Sequence, residues 1–101
     1  MLFDVASRLG FVVRTTRGYW ALITTVKHPN VKGCEEAVIR TLRDPDQVRV
    51  SKTDNTVYLF YRKSGTGHLC VVTKRITRDS GFIMTAYITG RIKEGDIAWK
   101  K

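Results

Sequence analysis

The sequence predicts an α+β domain in which N-terminal helices pack on one face of a four-stranded antiparallel β-meander. Residues 16–43 place apolar side chains at helical spacing, whereas residues 47–90 break into four segments of alternating character. The breaks, "TDNT", "SGTG" and "TRDSG", are short and rich in turn formers. Consecutive tight hairpins give an antiparallel meander, and helices followed by strands give segregated layers. A length of 101 residues suits one domain spanning the whole chain, and an apolar content of 43% suits a folded core.

In chain order, the opening segment reads as one or two helical turns ending at Gly10, followed by a brief strand, "FVVRT". "TTRGYWALITTVKHP" is rich in β-branched residues, yet both of its alternating faces are partly apolar and no hairpin turn follows. It reads as a helix capped by Thr16, with Trp20, Ile23 and Lys27 on one face, stopping before Pro29. A second helix takes Asn30 as its N-cap, with Val31, Cys34, Val38 and Leu42 at helical spacing. Glu35 and Glu36 lie early and Arg40 and Arg43 late, as the helix dipole favours, and "DPD" at 44–46 stops it. The four strands fall at about 47–52, 57–63, 68–76 and 82–90. The tail, "RIKEGDIAWKK", is expected to leave the sheet and fold back with Ile97 and Trp99 as apolar plugs.

The last strand, "GFIMTAYITG", sorts at period two into Phe82, Met84, Ala86 and Ile88 on one face and Ile83, Thr85, Tyr87 and Thr89 on the other. The wholly apolar face is expected under the helices. The hydroxyl-bearing face then looks onto an open surface where a ligand can lie.

Eighteen basic residues against nine acidic ones give a net charge of +9, which favours a polyanionic partner. Residues 52–101 carry ten Lys and Arg against four Asp and Glu, so the strand-rich half holds most of that charge. Cys34 and Cys70 sit in apolar-periodic segments without metal or redox spacing, and the first residues do not read as a secretory segment. A cytoplasmic protein with free thiols is expected.

Only histidine carries a proton acceptor that titrates near neutrality when unperturbed, and the chain has two, His28 and His68. His28, in "KHP", reads either as an acid/base group or as a helix C-cap. His68 follows "SGTG", a common setting for a solvated histidine. Arg62, in "LFYRK", suits a phosphate through its planar fork, or snorkels to solvent from a strand end. Lys74, Arg75 and Arg78 form a second basic group that a solvated turn also explains. The close acidic pairs outside the helix, Asp44/Asp46 and Glu94/Asp96, lack the histidine company of a hydrolytic metal site, so no cofactor is expected.

"KHP", "TLRDPDQVRVS", "LFYRK", "LCVVTK" and "GFIMTAYITGRIKEGDIAW", in that order, resemble the small phage- and toxin-associated RNases of the barnase–EndoU–colicin–RelE superfamily over residues 11–99. The resemblance implies metal-independent RNA cleavage, with an acidic antitoxin or immunity protein as a partner. Carried over position by position, it points to His28, Arg62, Thr85 and Tyr87 as catalytic, with Thr89 beside them. Tyr61, Lys63 and Lys74 join Thr89 as expected RNA contacts. In this reading His28 moves protons, Arg62 stabilises charge on the phosphate, and Thr85 and Tyr87 hydrogen-bond phosphate and ribose. A non-catalytic module stacking bases on Tyr58, Tyr61 and Tyr87 is the alternative, and a module meeting an acidic protein is a third.

Overall fold

A computed structural model describes residues 2–92 and 95–101. It corrects the predicted meander: the chain forms a seven-stranded mixed sheet with two short helices. The strands are β1 (Phe3–Ala6), β2 (Val12–Thr15), β3 (Gln47–Val50), β4 (Val57–Ser64), β5 (Gly67–Arg75), β6 (Ser80–Thr89) and β7 (Asp96–Lys100), in the spatial order β1-β2-β6-β5-β4-β3-β7. The four expected strands are its centre, paired antiparallel from β3 to β6.

Three strands at the edges were not expected as sheet members in this form. Residues 3–6 are a strand, not helical turns, because Val5 has a core to fill and "SRLG" closes a hairpin onto β2. In that hairpin the Ser7 amide donates to the Phe11 carbonyl at 3.0 Å, and Gly10 supplies the turn at φ 95°. β2 then runs parallel to the start of β6, which makes the sheet mixed. At the other edge, the tail stays in the sheet as β7, paired with β3. Trp99 packs half-buried on the core beneath the Arg8 guanidinium, 4.8 Å from the ring centroid. Ile97 is 52% exposed and plugs nothing.

Thr16 caps α1 (Arg17–Leu22) as expected, accepting from the Tyr19 amide at 3.1 Å. The helix then widens into a π-helix, Ile23–Lys27, closed by the His28 amide donating to the Ile23 carbonyl at 2.7 Å. Trp20 and Ile23 are buried, whereas the widened turn leaves Lys27 exposed. A 3₁₀ turn at Pro29–Val31 and Gly33 at φ 81° separate this element from α2 (Glu35–Arg43), so Cys34 and not Asn30 is its N-cap residue. Val38 and Leu42 of α2 are fully buried beneath it.

The helices cover one sheet face. Its core joins Val13, Trp20, Ile23, Val38 and Leu42 to Val48, Phe60, Leu69, Val71, Ile83 and Ala86. Ile83 and Ala86 are three apart, not an even number, because the register slips at Met84: Thr73 pairs with Ile83, but Val72 pairs with Thr85. The expected apolar face of "GFIMTAYITG" is therefore split. Ile83 and Ala86 go into the core, Phe82 and Ile88 are each 38% exposed, and Met84 packs on the other side.

Candidate active site

The face of the sheet turned away from the helices is built in rows fixed by strand register. Tyr61, Cys70 and Tyr87 form one row; Leu59, Val72 and Thr85 form the next; Lys63, His68 and Thr89 form a third at the end of the sheet. The middle of this face is closed, with Tyr61 and Cys70 fully buried and Ile92 packed on them from the connection after β6. Thr85, Tyr87, His68 and Thr89 are half-buried around it.

His28 reaches this face from the edge of β6. β2 pairs only with Ser80–Phe82, and beyond them the Tyr19 hydroxyl donates to the Met84 carbonyl at 2.6 Å, anchoring α1 to the edge. The π-helical turn that follows sets the His28 imidazole against the Tyr87 ring, centroids 5.4 Å apart and tilted by 38°. Lys27, next in the chain, is held over Tyr19, with Nζ 3.4 Å from its hydroxyl.

Tyr87 cannot act as a base in this setting. Burial, then the neighbouring Cys70 and Tyr61, push its phenol well above the ordinary value, so it stays protonated and can act as a donor. Among the described residues, the enclosed Thr85 Oγ1 has no hydrogen-bond partner, and neither has the enclosed Nδ1 of His68. His68 also meets Tyr61 edge to face, with ring centroids 6.5 Å apart. An imidazole, a neutral phenol donor and a hydroxyl are the groups that in-line transfer at a phosphodiester uses; here the Tyr87 and Thr85 oxygens are enclosed beneath the surface.

Arg62 is not among them. It alternates with Tyr61 and so lies on the helix-covered face, where Nη1 donates to the Asp44 carbonyl at 2.7 Å and meets its carboxylate at 3.3 Å. Lys101, the larger influence, and Arg62 together hold the Asp44 carboxyl below its usual range. Among the described residues no hydrogen bond or ring contact joins Arg62 to His28, Thr85 or Tyr87. The expected arginine beside the hydroxyl row is therefore corrected: the sheet itself separates them.

The expected RNA contacts divide similarly. Tyr61 is buried and offers no face to a base. Lys74 is held by Asp54 at 2.8 Å and by Thr56 at 3.1 Å. Thr89 donates to the Arg91 carbonyl at 2.9 Å and closes the turn after β6. Lys63 is exposed at the rim and also lines a groove of about 1070 Å³ with Arg40, Arg43, Asp44, Arg62 and Leu69. The groove is basic on balance and opens on the helix side.

No family model, curated protein or solved structure matches this chain. Among the described residues, no three His, Cys, Asp or Glu side chains cluster as metal ligands would; Glu94 lies outside the described residues. No described helix is long and apolar enough to cross a membrane. Neither Cys34 nor Cys70 is in a disulfide.

The placement of His68 was not foreseen. The signal for it was present: His68 stands two residues before Cys70 on β5, and so shares a face with the row that meets Tyr87.

Proposed function

We propose that this chain is a metal-independent endoribonuclease of the toxin or phage-effector kind, acting in the cytoplasm, where its two thiols stay reduced. The observation that carries the reading is the packing of His28 on Tyr87 beside the unpartnered hydroxyl of Thr85. His28 exchanges protons with the reacting oxygens, while Tyr87 and Thr85 donate hydrogen bonds to the phosphate. The 2′-hydroxyl attacks the adjacent phosphorus, the bond to the 5′-oxygen breaks, and a 2′,3′-cyclic phosphate and a 5′-hydroxyl result. Arg62 has no part in this chemistry. With Arg40 and Arg43 it lines the basic groove, which shares the exposed Lys63 with the catalytic side of the sheet and offers a path for the RNA backbone.

The ordered likeness to the barnase–EndoU–colicin–RelE RNases supports the same reading, with an acidic inhibitor as the partner for so basic a chain. Base stacking has less to stand on. Tyr61 is buried, Tyr58 packs on Phe11 beneath the helices, and Tyr87 is taken by His28.

The test is purified protein with end-labelled RNA in excess chelator. Cleavage leaving cyclic phosphate ends, lost in a folded His28→Ala variant, is expected. Activity that disappears in chelator and returns with one divalent ion would overturn the mechanism.

A further inference from the structure

We propose that His68 is the second proton-transfer group of this site, working opposite His28 with Tyr87 between them. The proposal rests on the nuclease reading and extends it. In-line displacement puts the attacking and leaving oxygens on opposite sides of phosphorus, so a base and an acid serve best from two directions. The chain has two histidines, and the fold sets one against Tyr87 and the other on the neighbouring strand, diagonal to Tyr87 on the same sheet face. His28 packs on the Tyr87 ring from the edge of β6. His68 stands on the other side, on β5, in register with Thr89, two residues beyond Tyr87. Same-face neighbours so related lie roughly 7–8 Å apart.

Among the described residues, the enclosed Nδ1 of His68 has no hydrogen-bond partner. Enclosed polar atoms nearly always have one, and an orphan among phosphate-binding groups fits an atom that meets its partner in the substrate complex. The groups facing His68 are Tyr61 and Lys63 from β4, Cys70 from its own strand, and Tyr87 and Thr89 from β6. Among the described residues none of these is a carboxylate, so none of them supplies an ion pair to the imidazole. Lys63 adds positive charge where a phosphate would sit.

The protons balance. One imidazole takes the proton of the 2′-hydroxyl as the bond from that oxygen to phosphorus forms. The other, as imidazolium, gives a proton to the 5′-oxygen as its bond to phosphorus breaks. Reprotonation from solvent resets the pair, with no oxidant or metal required.

Two measurements test this. In the first, the imidazole NMR signals of the wild-type protein are followed while inorganic phosphate is added. Both histidines should shift along one binding curve. A shift of His28 alone, or of neither, would overturn the proposal, and this readout does not depend on any RNA being cut. In the second, His68→Ala is assayed for single-turnover cleavage across pH. A loss of about a hundredfold, with one limb of the bell-shaped profile gone and the limb due to His28 kept, is expected. One of the two alanine variants should also recover on RNA with a bridging sulfur in place of the 5′-oxygen, because a thiolate leaves without a proton. A folded His68→Ala protein with the wild-type profile and rate would show that His68 only packs. If phosphate moves both histidines but no RNA is cleaved, the nuclease reading falls and the shared anion site remains.

Discussion

On the helix-covered face, β4 presents Tyr58, Phe60 and Arg62; on the other face the same strand presents Leu59, Tyr61 and Lys63. The first set meets a packed core and, at its rim, a basic groove where Arg62 is tied to Asp44. The second belongs to rows that end in Tyr87, Thr85 and His68, with His28 brought round the edge of β6. The Arg62 charge and the proton-carrying groups thus sit on opposite sides of one sheet, with Lys63 at the rim they share. A one-residue alternation along a strand decides which role a side chain can have, and the +9 charge of the chain says little about where chemistry occurs.

That contrast can be broken by substitution. The largest effect is expected from His28→Ala, a fall of about 10²–10⁴ in single-turnover cleavage with the fold intact. Tyr87→Phe keeps the ring against His28 and removes the donor, so a loss of about ten- to a hundredfold should follow. If Tyr87→Phe cleaved at the wild-type rate, the phenol would be only a packing surface. On the helix side, Arg62→Ala should lower the thermal midpoint by no more than about 5 °C, since the pair it breaks is partly exposed. It should also make RNA binding less salt-dependent, with the slope of log affinity against log salt shallower by about 0.7 if one phosphate contact is lost.

The smallest effect concerns the β3–β4 turn. Lys74, then Thr56, hold the Asp54 carboxyl far below its ordinary value of 3.8. A depressed folded-state pKa stabilises the fold above the unfolded value and loses that contribution as pH falls toward the folded one. Asp54→Asn should therefore be slightly less stable than wild type at pH 6–8 by thermal unfolding, with the gap closing below about pH 4. A gap that widened in acid would contradict the assignment.

The sequence made the centre of the sheet legible because its turns are local: each of the hairpins joining β4 to β6 is short, and turn-forming residues mark their ends. Thr16 likewise announced its helix by a bond to a residue three along. The edges were not legible. Whether "FDVA" and "DIAWK" are strands depends on β2 and β3, and nothing local distinguishes such pairing from a helical turn or a folded-back tail. The bulge at Met84 was equally hidden, and it exchanged faces for the residues before it, putting Ile83 and not Phe82 on the core face with Ala86. Within the site, the hydroxyl row of Thr85 and Tyr87 could be read from period two alone. The meeting of Tyr87 with His28 could not, because it depends on a π-helical turn that advances the chain by an extra residue. Arg62 was misplaced although its alternation with Tyr61 was visible, because strand parity does not say which face the helices cover.

The most direct measurement compares His28→Ala and Arg62→Ala side by side, in single-turnover RNA cleavage with saturating protein and excess chelator. Saturation removes differences in binding, so the rates report chemistry alone. With the reacting phosphate on the Tyr87 side of the sheet, His28→Ala should lose at least about a hundredfold while Arg62→Ala stays within about threefold of wild type. A folded Arg62→Ala protein that loses a hundredfold while His28→Ala cleaves normally would place the chemistry on the helix-covered side and contradict this account.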